Sequence, residues 1–419
     1  MISFIITIAK LLLILGIVAT IHEFGHFLMA KLFKIGVEEF SIGFGPKIIQ
    51  KKVKETMYSL RWLPLGGYCA IEGEEGDSES ETSFAKKNPV KKIIVLCMGV
   101  VFNAILAVVI FVGIGLHYPT YTSTITKLTP DSVLTKAGIK AGDTIKAIDG
   151  KPVKIQADLL DRKDISNKNI EVEYLRDGKI QKTTVENVLT DCGYIGASFK
   201  IEKENGVSMV SNEVQLVASG SESVKTGIKA GDRIIEVADI PTNTGDQVVD
   251  IVRQNKNKEI SIKFDRKGQI ISKTITPELK QSFDLGIAST QKVKTTIPYA
   301  FVSASNNVKT IAGSYVDLFR GKVGVKDMSG LVGIGEVVSK TNGVLEFLNL
   351  MGIISLAVGI ANIMPFPPLD GGKIVIVLGE TITRKKLPAK AEAIISYIGF
   401  GLLIGLTLIV TYNDILRIF

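Results

Sequence analysis

His22-Glu23-Phe24-Gly25-His26 falls inside an apolar run from residue 2 to about residue 32, and no other feature limits the fold of this chain so strongly. A helix needs roughly 18–20 apolar residues to cross a bilayer, and this run is long enough. On a helix, positions four apart share a face, so His22 and His26 can bind a single metal ion. The sequence holds three histidines, and two of them are here. Glu23, beside the first, is placed to act as general base on a metal-bound water. Exposing His or Glu to lipid is costly, so ionisable groups within a spanning helix are functional by default. The combination implies a zinc hydrolase whose chemistry takes place in the membrane.

The 419 residues leave room for two or three domains, and a mean hydropathy of +0.29 is too apolar for an ordinary soluble enzyme. Further apolar runs cover residues 93–117, about 344–364 and 393–410, which predicts four spanning helices in all. A secretory signal peptide is the alternative reading of the first run. Lys10 in mid-run and the lack of a clear small-x-small cleavage site argue against it. Cys69, Cys97 and Cys192 lie far apart with no C-x-x-C spacing, which argues against both a disulfide framework and a cysteine zinc site.

The net charge of +8 would suit nucleic acid or a membrane surface, and its distribution points to the membrane. Lys31, Lys34, Lys47, Lys51, Lys52, Lys54, Arg61, Lys86, Lys87, Lys91 and Lys92 lie between the first two runs, and Arg384, Lys385, Lys386 and Lys390 between the last two. By the positive-inside rule both loops are cytoplasmic, both termini are outside, and the long middle segment is extracytoplasmic. No nucleic-acid partner is implied.

The middle segment repeats itself. Ser132-Val-Leu-Thr-Lys-Ala-Gly138-Ile-Lys-Ala-Gly-Asp143-Thr-Ile recurs as Ser223-Val-Lys-Thr-Gly227-Ile-Lys-Ala-Gly-Asp232-Arg-Ile, each copy followed by alternating strand candidates. Two copies are too few for a solenoid, so two globular modules are expected, at residues 118–205 and 206–290. The G-I-x-x-G-D-x-I core resembles the PDZ domains of bacterial proteases, which implies capture of peptide termini or addition of a peptide strand. Two β modules without a ligand remain the alternative. The second copy has Ala238-Asp239 where the first has Asp149-Gly150, which weakens the expectation of ligand binding there. Residues 35–90 form a loop with strand candidates at 37–42, 47–53 and 56–62 around the turn Gly43-Phe44-Gly45-Pro46, then an acidic, Ser-rich linker at 72–81. Residues 291–343 connect to the third run and contain a candidate amphipathic helix near 295–320.

Two histidines leave a catalytic zinc short of a ligand, because such sites use three protein ligands. His117, at the end of the second run, is predicted to sit at the outer surface. Asn362-Ile-Met-Pro365-Phe-Pro367-Pro368-Leu-Asp370-Gly371-Gly372 breaks the third run, and broken backbone at membrane depth survives only when buried or lining a polar cavity. Asp370 sits at that break and suits zinc, although a helix-capping role would also account for it.

H-E-x-G-H with N-x-x-P-x-P-x-x-D-G, four spans and the inserted modules resembles the site-2 protease family of intramembrane zinc metalloproteases, in its RseP- and RasP-like bacterial branch with tandem PDZ domains. The resemblance implies a polytopic α-helical membrane protein with four transmembrane helices, two inserted extracytoplasmic PDZ-like β-rich domains and a membrane-associated β-hairpin element. It divides the chain into a first span at 1–34, the loop at 35–90, spans at 91–117, 344–380 and 391–416, and the modules between them. It assigns zinc to His22, His26 and Asp370, the base to Glu23, and substrate positioning to Asn362, Asn103 and the Gly43-Phe44-Gly45 turn. Asn103 belongs to a G-x-x-x-N-x-x-L-A stretch similar to the family's. Where the family often has Gly-Pro, this chain has Gly330-Leu331. The implied substrates are single-span membrane proteins in the bilayer of a bacterial inner or plasma membrane: anti-sigma factors already trimmed outside, and remnant signal peptides. The PDZ pair would reject substrates with large external domains. A membrane-anchored PDZ scaffold with a vestigial metal site is the alternative, and a scaffold has no need of Glu23 between buried histidines. The charge distribution predicts that a reporter enzyme fused at residue 200 is active only on the extracytoplasmic side; cytoplasmic activity would invert the topology.

Overall fold

Length and apolarity decide the four long helices. In the computed structural model, which describes residues 2–74, 80–160, 162, 165–204, 207–218, 220–321, 330–341 and 343–418, the helical segments Ser3–Leu32, Pro89–His117, Val344–Asn362 and Lys390–Leu416 are long and apolar enough to cross a membrane. The chain divides into two compact units, Met1–Thr120 with Lys294–Phe419, and Tyr121–Val293.

The helices of the first unit pack around Ile14, Val18, Ala107, Ile110, Phe111, Met351, Ile354 and Leu356. Lipid removes the hydrophobic drive between spanning helices, so small residues that admit close backbone approach take over. A Cβ on Gly25 would lie 2.3 Å from the Met98 carbonyl oxygen, and one on Gly352 would lie 2.8 Å from the Phe111 ring. The Asn88 side chain accepts from the Val90 N–H, and Pro89 opens the second helix where no N–H is needed. The third apolar run is two helices: Val344–Asn362 stops, the chain turns through a cis Pro367–Pro368 bond, and Asp370–Thr383 begins.

Residues 297–319 are helical, and Ala304 is buried in the same core with Val308 and Ile311 packed against it, so this segment packs into the bundle. The Gly330-Leu331 departure opens a short helix, Leu331–Lys340. Asp414 of the last helix accepts from the Gly330 and Gly333 N–H groups at 2.9 and 2.8 Å, satisfying donors that a helix start leaves open. At the other end Lys10 donates to the Thr341 carbonyl at 2.7 Å, which gives the cation of the first apolar run a partner.

The expected hairpin of the 35–90 loop is a four-stranded sheet. Phe40 lies opposite Tyr58 on one side and Cys69 on the other, and residues 47–53 pair with 56–61, so strand 37–42 is internal and 67–71 is an edge. Phe40 meets Phe24 and Phe27 with ring centroids 6.4 and 5.0 Å apart, fixing the sheet to the first helix. Arg61 donates to Ser41, Glu39, Tyr68 and the Gly45 carbonyl, tying three strands and the turn together.

The second unit contains two five-strand paths. One runs Ile287–Val293, Thr120–Leu128, Thr144–Ile148, Ile170–Arg176, Lys179–Val185; the other runs Ala197–Glu204, Val207–Val217, Arg233–Val237, Ile260–Arg266, Gln269–Ile275. The paths depart from the expected 118–205 and 206–290 division. Strand 197–204 belongs with the second sheet, and strand 287–293 returns to the first, so the second module is nested within the first. Alternation marks a strand without naming its neighbour.

The repeated G-x-x-x-G-D has one physical purpose in both copies. Asp143 accepts from the Lys140 N–H and from Arg176, which also donates to the Gly138 carbonyl. Asp232 accepts from the Lys229 N–H and from Arg266, which donates to the Gly227 carbonyl. Ala238 and Asp239 adopt the same left-handed pair as Asp149 and Gly150, so the sequence difference there leaves the turn intact. Burial alone would raise the Asp143 carboxyl, but the Arg176 and Lys140 hydrogen bonds hold it below the usual carboxylate range. A depressed carboxylate stabilises the fold above its unfolded pKa of about 4 and loses that contribution as pH falls through the folded value. Asp143→Asn is therefore expected to cost about 1–3 kcal/mol at pH 7, with the gap from wild type closing as pH drops below about 4 in thermal unfolding of the detergent-solubilised chain.

Candidate metal centre

Three side chains from two helices meet at one point. His22 and His26 project from one face of the first helix, and Asp370 is the first residue of the helix that restarts after the proline turn. Asp370 Oδ2 lies 2.9 Å from His22 Nε2 and 3.3 Å from His26 Nε2, and the two Nε2 atoms are 3.2 Å apart. Leu369, not Asp370, is the N-cap residue of the new helix, and the Asp370 carboxylate turns to the histidines instead of capping. Both imidazoles are buried, and the three residues are the metal-binding group found among the described residues.

The donor set fits zinc. A tetrahedral ion with bonds of about 2.0–2.1 Å separates its ligands by roughly 3.3 Å, close to the triangle here. The second helix fixes the rings: Val95, Gly99 and Asn103 recur every four residues on one face. The Val95 carbonyl accepts from His26 Nδ1 at 2.8 Å, which leaves the Nε2 lone pair for a metal. Asn103 Nδ2 lies 3.4 Å from His22 Nδ1, while Asn103 Oδ1 is buried without a hydrogen bond from any described residue. Turning that amide over gives Oδ1 a donor in His22 Nδ1–H and frees His22 Nε2 for a metal as well. Gly99 makes room for both rings, since a Cβ there would lie 2.4 Å from His26 Nε2 and 2.6 Å from His22 Nε2.

Asn362 Nδ2 is 3.3 Å from His22 Nε2, so the residue expected to position substrate borders the group. Glu23 Oε2 accepts the Cys69 N–H from the edge strand at 3.0 Å. Gly43, Phe44 and Gly45 form the turn at the far end of the sheet, both glycines with left-handed φ, and Phe44 stacks on Tyr68. None of the three hydrogen-bonds a member of the His-His-Asp group among the described residues. His117 is exposed against Tyr118 and lies outside the group. The three cysteines are free thiols.

The sequence profile described as peptidase family M50 matches residues 10–406. The chain belongs to this family. As a member of the site-2 protease group it is a zinc metalloprotease. A Clostridium perfringens protein described as a candidate zinc metalloprotease is 30% identical over 399 residues, 94% of each chain. A Clostridium acetobutylicum protein of the same description is 29% identical over 406 residues, 96% of each chain. Among solved structures, the HtrA-type protease AlgW with a decapeptide matches 27% of this chain and 49% of its own at 14% identity and a TM-score of 0.21, a likeness too slight to carry an argument.

Two contributors to the protease's metal group escaped the sequence. The Val95 carbonyl is backbone and leaves no residue signature. Gly99 did leave one, its four-residue spacing from Asn103, but only the fold says that this face meets the imidazoles. Gly99→Val is expected to displace the rings and lower zinc content by at least tenfold in metal analysis of the purified M50 protease; full zinc occupancy would show that the rings find room elsewhere.

Proposed function

We propose that this protease hydrolyses peptide bonds in the transmembrane segments of single-span membrane proteins. The observation that carries the reading is the His22–His26–Asp370 group, with Glu23 beside it: both histidines and Glu23 lie on a helix long and apolar enough to cross a membrane, and Asp370 reaches them from the short helix Asp370–Thr383. His22, His26 and Asp370 would hold zinc, which when bound supplies a Lewis acid for the scissile carbonyl and lowers the pKa of water. Glu23 serves as the base, taking the proton of the attacking water and returning it to the leaving amine. One of its oxygens is held by the Cys69 N–H, and Oε1 accepts no hydrogen bond from a described residue, leaving it open for proton transfer. Asn362, beside His22, orients the substrate peptide, and Asn103 holds the His22 ring.

A helical substrate hides its carbonyls in hydrogen bonds and must unwind before attack. The edge strand 67–71 runs past Glu23, which supports pairing with an unwound backbone, and the Gly43-Phe44-Gly45 turn shapes the end of that sheet. The substrate classes that fit are anti-sigma factors already cut outside the membrane and remnant signal peptides. The nested β modules serve as PDZ-like domains on the extracytoplasmic side of a bacterial cell membrane, with both chain termini on that side, where they take peptide termini and reject bulky external domains.

Glu23→Gln is expected to keep zinc at one per chain and lower cleavage of a model transmembrane peptide by about 10²–10⁴-fold, whereas Asp370→Ala loses the metal. Cells carrying the Glu23→Gln form should accumulate single-span stubs in membrane proteomics. Wild-type cleavage by a pure Glu23→Gln preparation would remove Glu23 from the mechanism.

A further inference from the structure

A glutamate on a helix has three rotatable bonds, and a general base works only while its carboxylate points at the reacting water. Glu23 leaves the helix about 100° around from His22, toward the sheet, and there its Oε2 meets the Cys69 N–H. The strand bearing that donor is fixed to the first helix at several points. Gly67 sits so close to strand 37–42 that a Cβ would lie 2.5 Å from the Ser41 carbonyl oxygen, and a Cβ on Gly16 would lie 2.6 Å from the Pro64 carbonyl oxygen. Phe40, opposite Cys69, packs on Phe24 and Phe27, the turn of helix that carries Glu23. The donor and the carboxylate are therefore held in one frame before any substrate arrives.

We infer that the backbone N–H of Cys69 is the positioning donor for Glu23, so that the 37–71 sheet takes part in the reaction itself, apart from any part it plays in holding substrate. The inference rests on Glu23 being the base. An N–H donated to a carboxylate belongs to the stronger class of hydrogen bonds, and it removes one oxygen from competition while leaving the other for the proton. The thiol takes no part. Along an edge strand, alternate N–H groups point away from the ladder, and the Cys69 N–H is directed at Glu23. Proline on such a position removes a donor without removing a ladder bond.

The test compares Cys69→Pro, which lacks the N–H, with Cys69→Ala, which keeps it, in the full-length zinc-loaded protease cleaving a model transmembrane peptide. Cys69→Pro is expected to lower kcat by 10–100-fold with KM within twofold of wild type and zinc retained at one per chain; Cys69→Ala restores the rate. Adding Cys69→Pro to Glu23→Gln is expected to lower the residual rate no further, since both act through one carboxylate. A rise in KM with kcat kept, or additive losses in the double variant, would overturn the inference in favour of a purely substrate-holding strand. If Cys69→Pro fails to fold or to hold zinc, Gly67→Ala decides instead: it forces the strand off Ser41, so full kcat with zinc in place would overturn the inference and a kcat-selective loss would support it. The two layers separate cleanly. Cleavage by Glu23→Gln at the wild-type rate defeats the base assignment, whereas a strongly impaired Glu23→Gln beside a fully active Cys69→Pro defeats only the role given to the strand.

Discussion

Hydrocarbon cannot solvate a polar atom, and the arrangement of the first unit follows from that restriction. Two buried imidazoles and a partly buried carboxylate, about 3 Å apart, leave lone pairs facing one another that only a proton or a cation can reconcile. The same restriction governs the groups around them. Val95 offers its carbonyl to His26, Ser355 donates to the Asn103 carbonyl, Lys10 reaches the Thr341 carbonyl, and Asp414 takes the open N–H groups at the start of a neighbouring helix. Each of these polar groups has a partner on a different element, and these pairings hold the bundle in one arrangement.

Close approach is the second requirement. Spanning helices gain little from burying leucine against leucine when lipid is equally apolar, so their association depends on fit. Gly25 against Met98, Gly99 against the imidazoles and Gly399 against the Pro367 carbonyl let backbones approach where a side chain would collide. The proline turn is held from two directions: Gly371 and Gly372 fold back on Ile363 and Pro367, and Gly399 presses from the last helix. That confinement aims Asp370 at the histidines. A carboxylate at the start of a free helix would cap its own backbone; this one is directed across to the first helix.

The second unit shows how a repeat acquires its architecture. Each copy brings an aspartate, the N–H three residues before it, and an arginine at the end of a later strand into one closed set of hydrogen bonds, so the duplicated motif is a local brace. The copies do not fold as beads on a string, because the strand after the second copy, Ile287–Val293, pairs with Thr120–Leu128 from before the first. The nesting brings together strands more than 150 residues apart, and no local feature of either strand announces it.

The sequence by itself determined the four long apolar helices, the four-residue spacing of His22 and His26, the break before Asp370, the first three strands of the loop and the duplicated middle. All of these depend on neighbours along the chain: helical period, strand alternation, unbroken apolar length, and proline or glycine at a fixed offset. Tertiary structure alone decided that the 35–90 loop closes with a fourth strand whose Cys69 N–H meets Glu23, that Val95, Gly99 and Asn103 are the face turned to the imidazoles, that residues 297–319 join the core, and that one β module lies within the other. Each of these is a match between distant backbones. A carbonyl, an N–H or a missing Cβ is the same in every residue that offers it, and only the fold selects which one lies against which partner.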